Sequence, residues 1–300
     1  MGIDVSICAV TFRRKAGLTR LLESLARLKL PEGLAVEVVL VDNDPEASAF
    51  CATDRMEAAG SLDIRWHHER RGDIAHARNR CVEAARGDWI AFVDDDEAVH
   101  EDWLVAYADA AGRREADGFF GPVLPRLEVP RASWLDLSTF YARARRPSGT
   151  RLGVVGPCTA NAFLRRGLMR EVRFDSGFGR TLGEDADCFL RALDRGADFR
   201  WCDEARVDEF IPPERHRAGW LTRRALEGAS AWAHIVRARS RRPIPLLHLA
   251  ALARVAVAAL RLPVAALGGR RRGFRAWLGL CTQVGRLWGL LGRRVERTGA

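Results

Sequence analysis

Three consecutive aspartates, Asp94, Asp95 and Asp96, followed by Glu97, close the apolar run Trp89–Val93. Adjacent carboxylates repel one another, so such a cluster needs a counter-charge. A hard divalent cation, Mg²⁺ or Mn²⁺, supplies one, because it combines carboxylate oxygen with substrate phosphate. In an extended segment Asp94 and Asp96 point one way and Asp95 the other. One set can then hold metal and ribose while the other serves the fold. A solvated acidic turn ahead of a helix starting near His100 fits the same residues. The second cluster, Glu184, Asp185 and Asp187 after Gly183, opens a helical pattern. Free backbone N–H groups and the helix dipole stabilise carboxylates there, so capping accounts for one of them. A spare, partly desolvated one can accept a proton from a hydroxyl group.

Other residue types carry less chemistry. His67, His68 and His76 lack metal-ligand spacing, which favours packing roles. Trp134 and Tyr141 suit either stacking on a sugar or packing within a lid. Seven scattered cysteines form no CxxC pair and read as reduced thiols of a cytosolic protein. No GxGxxG follows a strand, which argues against a dinucleotide-binding dehydrogenase. The first residues, with Asp4 and no basic leader, do not have the form of a signal peptide.

The elements that must position these residues alternate. Val5–Val10, Val36–Val41, Ile64–His67 and Trp89–Val93 read as strands. A leucine-spaced segment from Leu18 to Leu28 and the segment Asp73–Ala85 read as helices. Such β-α-β alternation predicts an α/β fold with a mostly parallel sheet, with polar residues gathered where strands end. Further on, Trp103–Arg114 and Glu184–Gly196 read as helices. Gly118 opens a strand and turn, and Thr159–Arg166 and Trp201–Phe210 read as single strands.

Charge divides the chain. The net charge is +9, but from Glu214 onward eighteen arginines face three glutamates, a net +15 that leaves −6 for the rest. The tail therefore suits a polyanionic partner: membrane, nucleic acid or a phosphate-bearing substrate. Its segments Leu246–Leu267 and Phe274–Leu291 read as helices. His248, Arg254, Arg261 and Pro263 interrupt the first, and Arg275 and Arg286 the second, so neither is expected to cross a membrane. Lying in a membrane interface and packing on the body are the two alternatives.

Taken in order, Thr11-Phe12-Arg13, Asp42-Asn43, Arg78-Asn79, Asp94-Asp95-Asp96, Asn161, Gly183-Glu184-Asp185 and Pro212-Pro213-Glu214-Arg215 resemble family 2 glycosyltransferases of the GT-A fold. The likeness extends to bacterial exopolysaccharide enzymes of the succinoglycan glucosyltransferase type and covers residues 4–235. It implies that Thr11 and Arg13 line the nucleotide pocket, Asp42 reads the base and Arg78 approaches the diphosphate. It also implies that Asp94 touches ribose, Asp96 binds the metal and Asp95 assists. Asp185 would be the catalytic base and Glu184 would orient the acceptor. Many relatives carry a metal-binding His after the last strand; here Glu209 stands there. The Gln-x-x-Arg-Trp signature of processive synthases is absent.

The expectation is an inverting, non-processive glycosyltransferase. Residues 1–236 would form the catalytic domain and 237–300 a basic helical tail. It would use Mn²⁺ or Mg²⁺ and a nucleotide-diphosphate sugar, with UDP favoured. The acceptor would be a saccharide or polyprenyl-diphosphate-linked sugar at the inner face of an anionic membrane, with no nucleic acid involved. The alternatives are a nucleotidyltransferase of related fold and a non-catalytic binder acting through the basic tail.

Overall fold

The structure is a computed structural model that describes residues 4–47, 63–129, 140–240, 243–293 and 295. Trp134 lies outside the described residues. Valine-rich segments form the central strands β1 (Val5–Thr11) and β2 (Val36–Asp42), as β-branched side chains favour. Helix α1 (Lys15–Leu25) buries Leu18, Leu21, Leu22 and Leu25, the face its spacing predicts. Strand β3 (Ile64–His68) is followed by α2 (Ile74–Ala84), whose N-cap Asp73 accepts from the amides of Ala75 and His76. Strand β4 (Trp89–Val93) ends at the acidic cluster, and the short β5 (Glu97–Val99) leads into α3 (Trp103–Arg113).

Two expected strands divide. The segment opened by Gly118 forms β6 (Gly118–Phe120) and β7 (Val123–Leu127). After β8 (Arg151–Leu152), β9 (Asn161–Arg165), α4 (Arg166–Val172) and α5 (Glu184–Asp194), the expected strand Trp201–Phe210 forms β10 (Phe199–Trp201) and β11 (Val207–Ile211). The main sheet has the order β3-β2-β1-β4-β9-β6-β10-β8, and β5-β11-β7 forms a second, smaller sheet. Strands β3, β2, β1 and β4 run parallel, while β9 lies antiparallel between β4 and β6. The division happens where two chain segments leave the main sheet together. The Asn161 amide nitrogen donates to the carbonyls of Pro122 (3.1 Å) and Ala205 (2.7 Å), one at each departure. Gly121 permits the crossing, since a Cβ there would lie 2.1 Å from the Ala205 carbonyl oxygen.

Among the described residues three helices follow: α6 (Ala218–Arg239), α7 (Ile244–Leu267) and α8 (Arg270–Leu290). Helix α6 runs unbroken past residue 236, and α8 returns to lie along it. Backbones approach closely there, because a Cβ on Gly289 would sit 2.1 Å from the Ser230 carbonyl oxygen. Helix α7 continues through Pro263, which removes only one backbone hydrogen bond. With a mean hydropathy of 1.8 it is long and apolar enough, by length and composition, to cross a membrane. The sequence reading treated its arginines and proline as interruptions; they are too few to break the helix or its apolar character. Ala251 is its one buried residue among those described.

The α6–α8 seam can be tested with paired glycines. Gly289→Ala should destabilise the protein by about 1–3 kcal/mol through overpacking. Gly279→Ala, with open space around it, should stabilise it by up to about 1 kcal/mol through helix propensity. Urea denaturation of the two variants measures both; equal effects would mean that the seam is not close-packed.

Candidate active site

The acidic cluster sits at the carboxyl end of β4, beside the carboxyl ends of β1 and β2. Asp95 turns inward, almost fully buried, and accepts from the Thr11 hydroxyl (2.9 Å), the Phe12 amide (3.3 Å) and Arg14 (2.8 Å). Burial, opposed by Arg14 and reinforced by Asp96, pushes its pKa up to about 6. Glu97, also buried, accepts from the Asp94 amide at 2.8 Å. Burial, then the charges of Asp94, Glu209 and Asp96, raise its pKa well above the usual carboxylate range. Asp94 and Asp96 face a cleft of about 490 Å³. Asp96 contacts Arg14 (3.0 Å) and Arg215 (2.9 Å), while Asp94 lies 3.5 Å from Arg78. Glu209, on β11, meets Arg143 (2.8 Å) and Arg215 (3.6 Å).

A second chamber of about 490 Å³ shares Arg78, Asp94, Arg143 and Arg224 with the first. Its wall includes the first turn of α5, where the acids divide their work. Glu184 is buried and ion-paired to Arg78. Burial opposes the charge on Arg78, but Glu184, Asp94 and Asp185 outweigh it and raise the guanidinium pKa. Asp187 takes Arg191 (2.7 Å) and Arg239 (3.8 Å). Asp185 opens into the chamber, and among the described residues no basic side chain lies within ion-pair distance of it. The N-cap, Gly183, is left-handed at φ 104° and makes no side-chain cap; among the acids, Asp185 accepts from the Ala186 amide through Oδ1 at 2.7 Å, which leaves Oδ2 for other partners.

Two expected residues sit elsewhere. Arg13 does not line the cleft; it is half-exposed and bonds Asp44 at 3.0 and 3.1 Å. Its φ of 53° turns the chain so that Arg14, not Arg13, enters the cleft. Asp42 lies fully buried beneath the cleft, accepting from the Asp44 amide at 2.9 Å. Asn43 is the residue of that loop in the lining, and its buried Oδ1 has no hydrogen-bond partner among the described residues. Sequence reasoning also passed over Arg14, Arg215 and Glu97 as site residues. Their signals were positional: Arg14 adjoins Thr11-Phe12-Arg13, Glu97 closes the acidic run and Arg215 ends the Pro-Pro-Glu-Arg motif. His216 holds the Ile211 carbonyl at 3.0 Å and is structural.

Among the described residues no three His, Cys, Asp or Glu side chains gather as a closed metal shell. The Asp96 and Glu209 carboxylates do converge, on the Arg215 guanidinium. Mg²⁺ and Mn²⁺ use one or two carboxylates with water and phosphate, so an open pair of this kind suits them.

Known proteins share this architecture. The mannosyltransferase PcManGT from Pyrobaculum calidifontis superposes with a TM-score of 0.65 at 18% identity, covering 98% of this chain and 89% of that one. S. aureus TarS 1-349 gives 0.57 at 15% identity, covering 97% and 92%. At such identities the likeness concerns the fold, which is that of the GT-A glycosyltransferases. In sequence, residues 6–173 match the family described as Glycosyl transferase family 2. The succinoglycan biosynthesis protein ExoM of Rhizobium meliloti is 32% identical over 224 residues, 74% of this chain and 71% of ExoM. The pre-mycofactocin glycosyltransferase of Mycobacterium tuberculosis is 27% identical over 237 residues; this chain spans about half of that relative, 47%. The chain belongs to glycosyl transferase family 2. Membership sets aside the nucleotidyltransferase and the non-catalytic binder.

The buried Arg78–Glu184 pair invites a double-mutant cycle. Arg78→Met should destabilise by about 3–5 kcal/mol, because it removes the guanidinium paired with a buried carboxylate. Adding Glu184→Leu should recover part of that loss. Urea melts of the four proteins measure it; purely additive losses would mean the two side chains are not coupled.

Proposed function

We propose that the protein transfers one sugar, with inversion, from a nucleoside-diphosphate sugar to a hydroxyl of a saccharide or polyprenyl-diphosphate-linked acceptor in exopolysaccharide assembly. The observation that carries this reading is the position of Asp185. It is an acid without an ion pair among the described residues, in a chamber that shares Arg78 and Asp94 with the acid- and arginine-lined cleft. The donor fills the cleft. Asn43 Oδ1 accepts from the base, a task that the resemblance implies for Asp42, and Thr11 lies beneath. Asp94 binds ribose, and Arg78, held by Glu184, meets the diphosphate. Asp96 and Glu209 would hold Mn²⁺ or Mg²⁺, with Asp95 orienting Arg14 against Asp96. When bound, such an ion offsets charge growing on the leaving diphosphate. Asp185 removes the acceptor proton as the new bond forms. The names of similar proteins support the donor class and the pathway: succinoglycan biosynthesis for ExoM, UDP for TarS, and GDP-Man with Mn²⁺ for PcManGT. UDP-sugar is the donor we favour.

Residues 1–236 form the catalytic part in this reading, and 237–300 a tail that rests on the inner face of an anionic membrane. The outward side of α7 supports it, with Leu249, Leu260 and Leu267 exposed by 65%, 76% and 90%. Arg254 and Arg261 lie seven residues apart on one flank, where long side chains reach headgroups.

Asp185→Asn should lower kcat by about 10²-fold or more while UDP affinity stays unchanged. Release of nucleoside diphosphate from UDP-, GDP- and TDP-sugars with a saccharide acceptor panel measures the first, and calorimetry the second. A variant that loses nucleotide affinity moves Asp185 out of the base role. For the tail, full-length protein should sediment with phosphatidylglycerol liposomes, and less so at high salt. The variant Leu249→Ser/Leu260→Ser/Leu267→Ser should stay in the supernatant with its melting point unchanged, since each leucine adds about 1.5–3 kcal/mol when buried. Equal sedimentation of both proteins would sink the membrane reading.

A further inference from the structure

Arg215 stands between two carboxylates that the reading above gives to a metal ion. It belongs to the 3-10 turn Pro213–His216. Its guanidinium reaches Asp96 at 2.9 Å through Nη2 and Glu209 at 3.6 Å through Nη1. The turn is held in place, because the Tyr141 hydroxyl donates to the Arg215 carbonyl at 3.0 Å. The Trp220 ring lies 5.7 Å from the guanidinium carbon. The neighbouring cations differ from it. Arg14 is shared between Asp96 and Asp95, and Arg143 takes the other oxygen of Glu209. Among the described residues Arg215 alone bridges Asp96 and Glu209.

We propose that Arg215 is an internal counter-cation that keeps the Asp96–Glu209 pair closed in the donor-free enzyme, so that divalent-cation binding depends on the donor's diphosphate. The inference rests on the metal reading of Asp96 and Glu209. The side chains of these two residues are only 15% and 13% exposed, so neither charge is well served by water. A divalent ion arriving alone must displace the guanidinium and leave it without an anion in a partly buried cleft. A diphosphate arriving with the ion changes that balance. It offers oxygens to the ion and gives the displaced guanidinium a new anion within the same cleft. Each of the two ligands then favours binding of the other, by the same factor in both directions. The open, two-carboxylate donor set fits this dependence, because it leaves most of the ion's coordination to phosphate and water.

The test measures Mn²⁺ binding, by calorimetry and by electron paramagnetic resonance of free Mn²⁺, on full-length protein with and without UDP. Wild-type protein should bind Mn²⁺ weakly alone and more tightly with UDP. Arg215→Gln should tighten Mn²⁺ binding to the donor-free protein by about tenfold, as expected when a competing charge leaves a partly buried carboxylate pair. It should also shrink the UDP–Mn²⁺ coupling. Arg215→Lys, which keeps the charge, should stay near wild type. Tyr141→Phe, which loosens the turn but keeps the arginine, should shift Mn²⁺ affinity in the same direction by less. Circular dichroism and melting curves confirm the fold of each variant. Unchanged Mn²⁺ affinity in both folded Arg215→Gln and Tyr141→Phe overturns the proposal. Asp96→Asn separates the two levels. If it abolishes Mn²⁺ binding in the presence of UDP while Arg215→Gln changes nothing, the metal reading stands and the Arg215 proposal falls. If Asp96→Asn leaves Mn²⁺ binding intact, the metal reading falls and takes the proposal with it.

Discussion

Negative charge crowded at the carboxyl end of β4 is the constraint to which the rest of this protein answers. Asp94, Asp95, Asp96 and Glu97 are consecutive, and Glu209 joins them from β11. Their charges raise one another's pKa values where burial has already done so, as at Asp95, Glu97 and Glu209. Water cannot reach most of this charge, so cations have to come from the chain. Arg14 arrives from the turn after β1, Arg78 from α2, Arg143 from the segment before β8, and Arg215 from the turn after β11. Segments far apart in sequence therefore converge on one cleft. Their convergence makes a site lined by both signs of charge, suited to a ligand that carries phosphate and perhydroxylated sugar together.

The convergence needs a second sheet set at the right place, and Asn161 provides the joint. Its side chain is fully buried and its hydrogen-bonding capacity is filled. The amide oxygen accepts from Trp103 Nε1 (2.9 Å) and the Tyr107 hydroxyl (2.6 Å), both on α3. The amide nitrogen holds the two carbonyls at which the chain leaves β6 and β10. Fixing those departures sets the β7–β11 pairing. That pairing in turn sets Glu209 and the Arg215 turn against Asp96. A buried polar group fully satisfied in this way is both stable and specific, since every alternative packing would strand donors or acceptors.

Local pattern carried the sequence reading wherever local pattern governs the structure. Strands β1, β2 and β4 are runs of apolar, largely β-branched or aromatic residues, and they appear where the residue types put them. Helix α2 begins at the Asp73 cap and α5 at its acidic first turn, as their spacing implies. The misses share a cause. Arg13 and Arg14 are alike in type, and only a left-handed φ at Arg13 decides which of them enters the cleft. The stretch from Phe199 to Ile211 is one apolar-rich segment in sequence, yet it serves two sheets because Asn161, some forty residues earlier, holds its middle. Asn43 was overshadowed by the more conspicuous Asp42. Arg215 stands in the Pro-Pro-Glu-Arg motif but carries no role in sequence, because its role lies in what β11 brings beside it. Long-range placement leaves no periodicity in the letters.

Helix α6 touches both ends of the molecule's business. Trp220, Arg224 and Glu227, near its start, line the cleft. Ser230 and Ala233, further along, carry the close seam with α8. Twenty-two residues of α-helix measure about 33 Å, and a helix of that length packed along one side behaves as a stiff strut. In the proposed reading, a membrane surface under α7 would therefore be held at a set height from Asp185. An enzyme docked in this way would work as a gauge. It would serve hydroxyl groups presented at one elevation, and acceptors too short or too long to stand there would pass beneath or beyond its reach, however well their sugars matched the pocket.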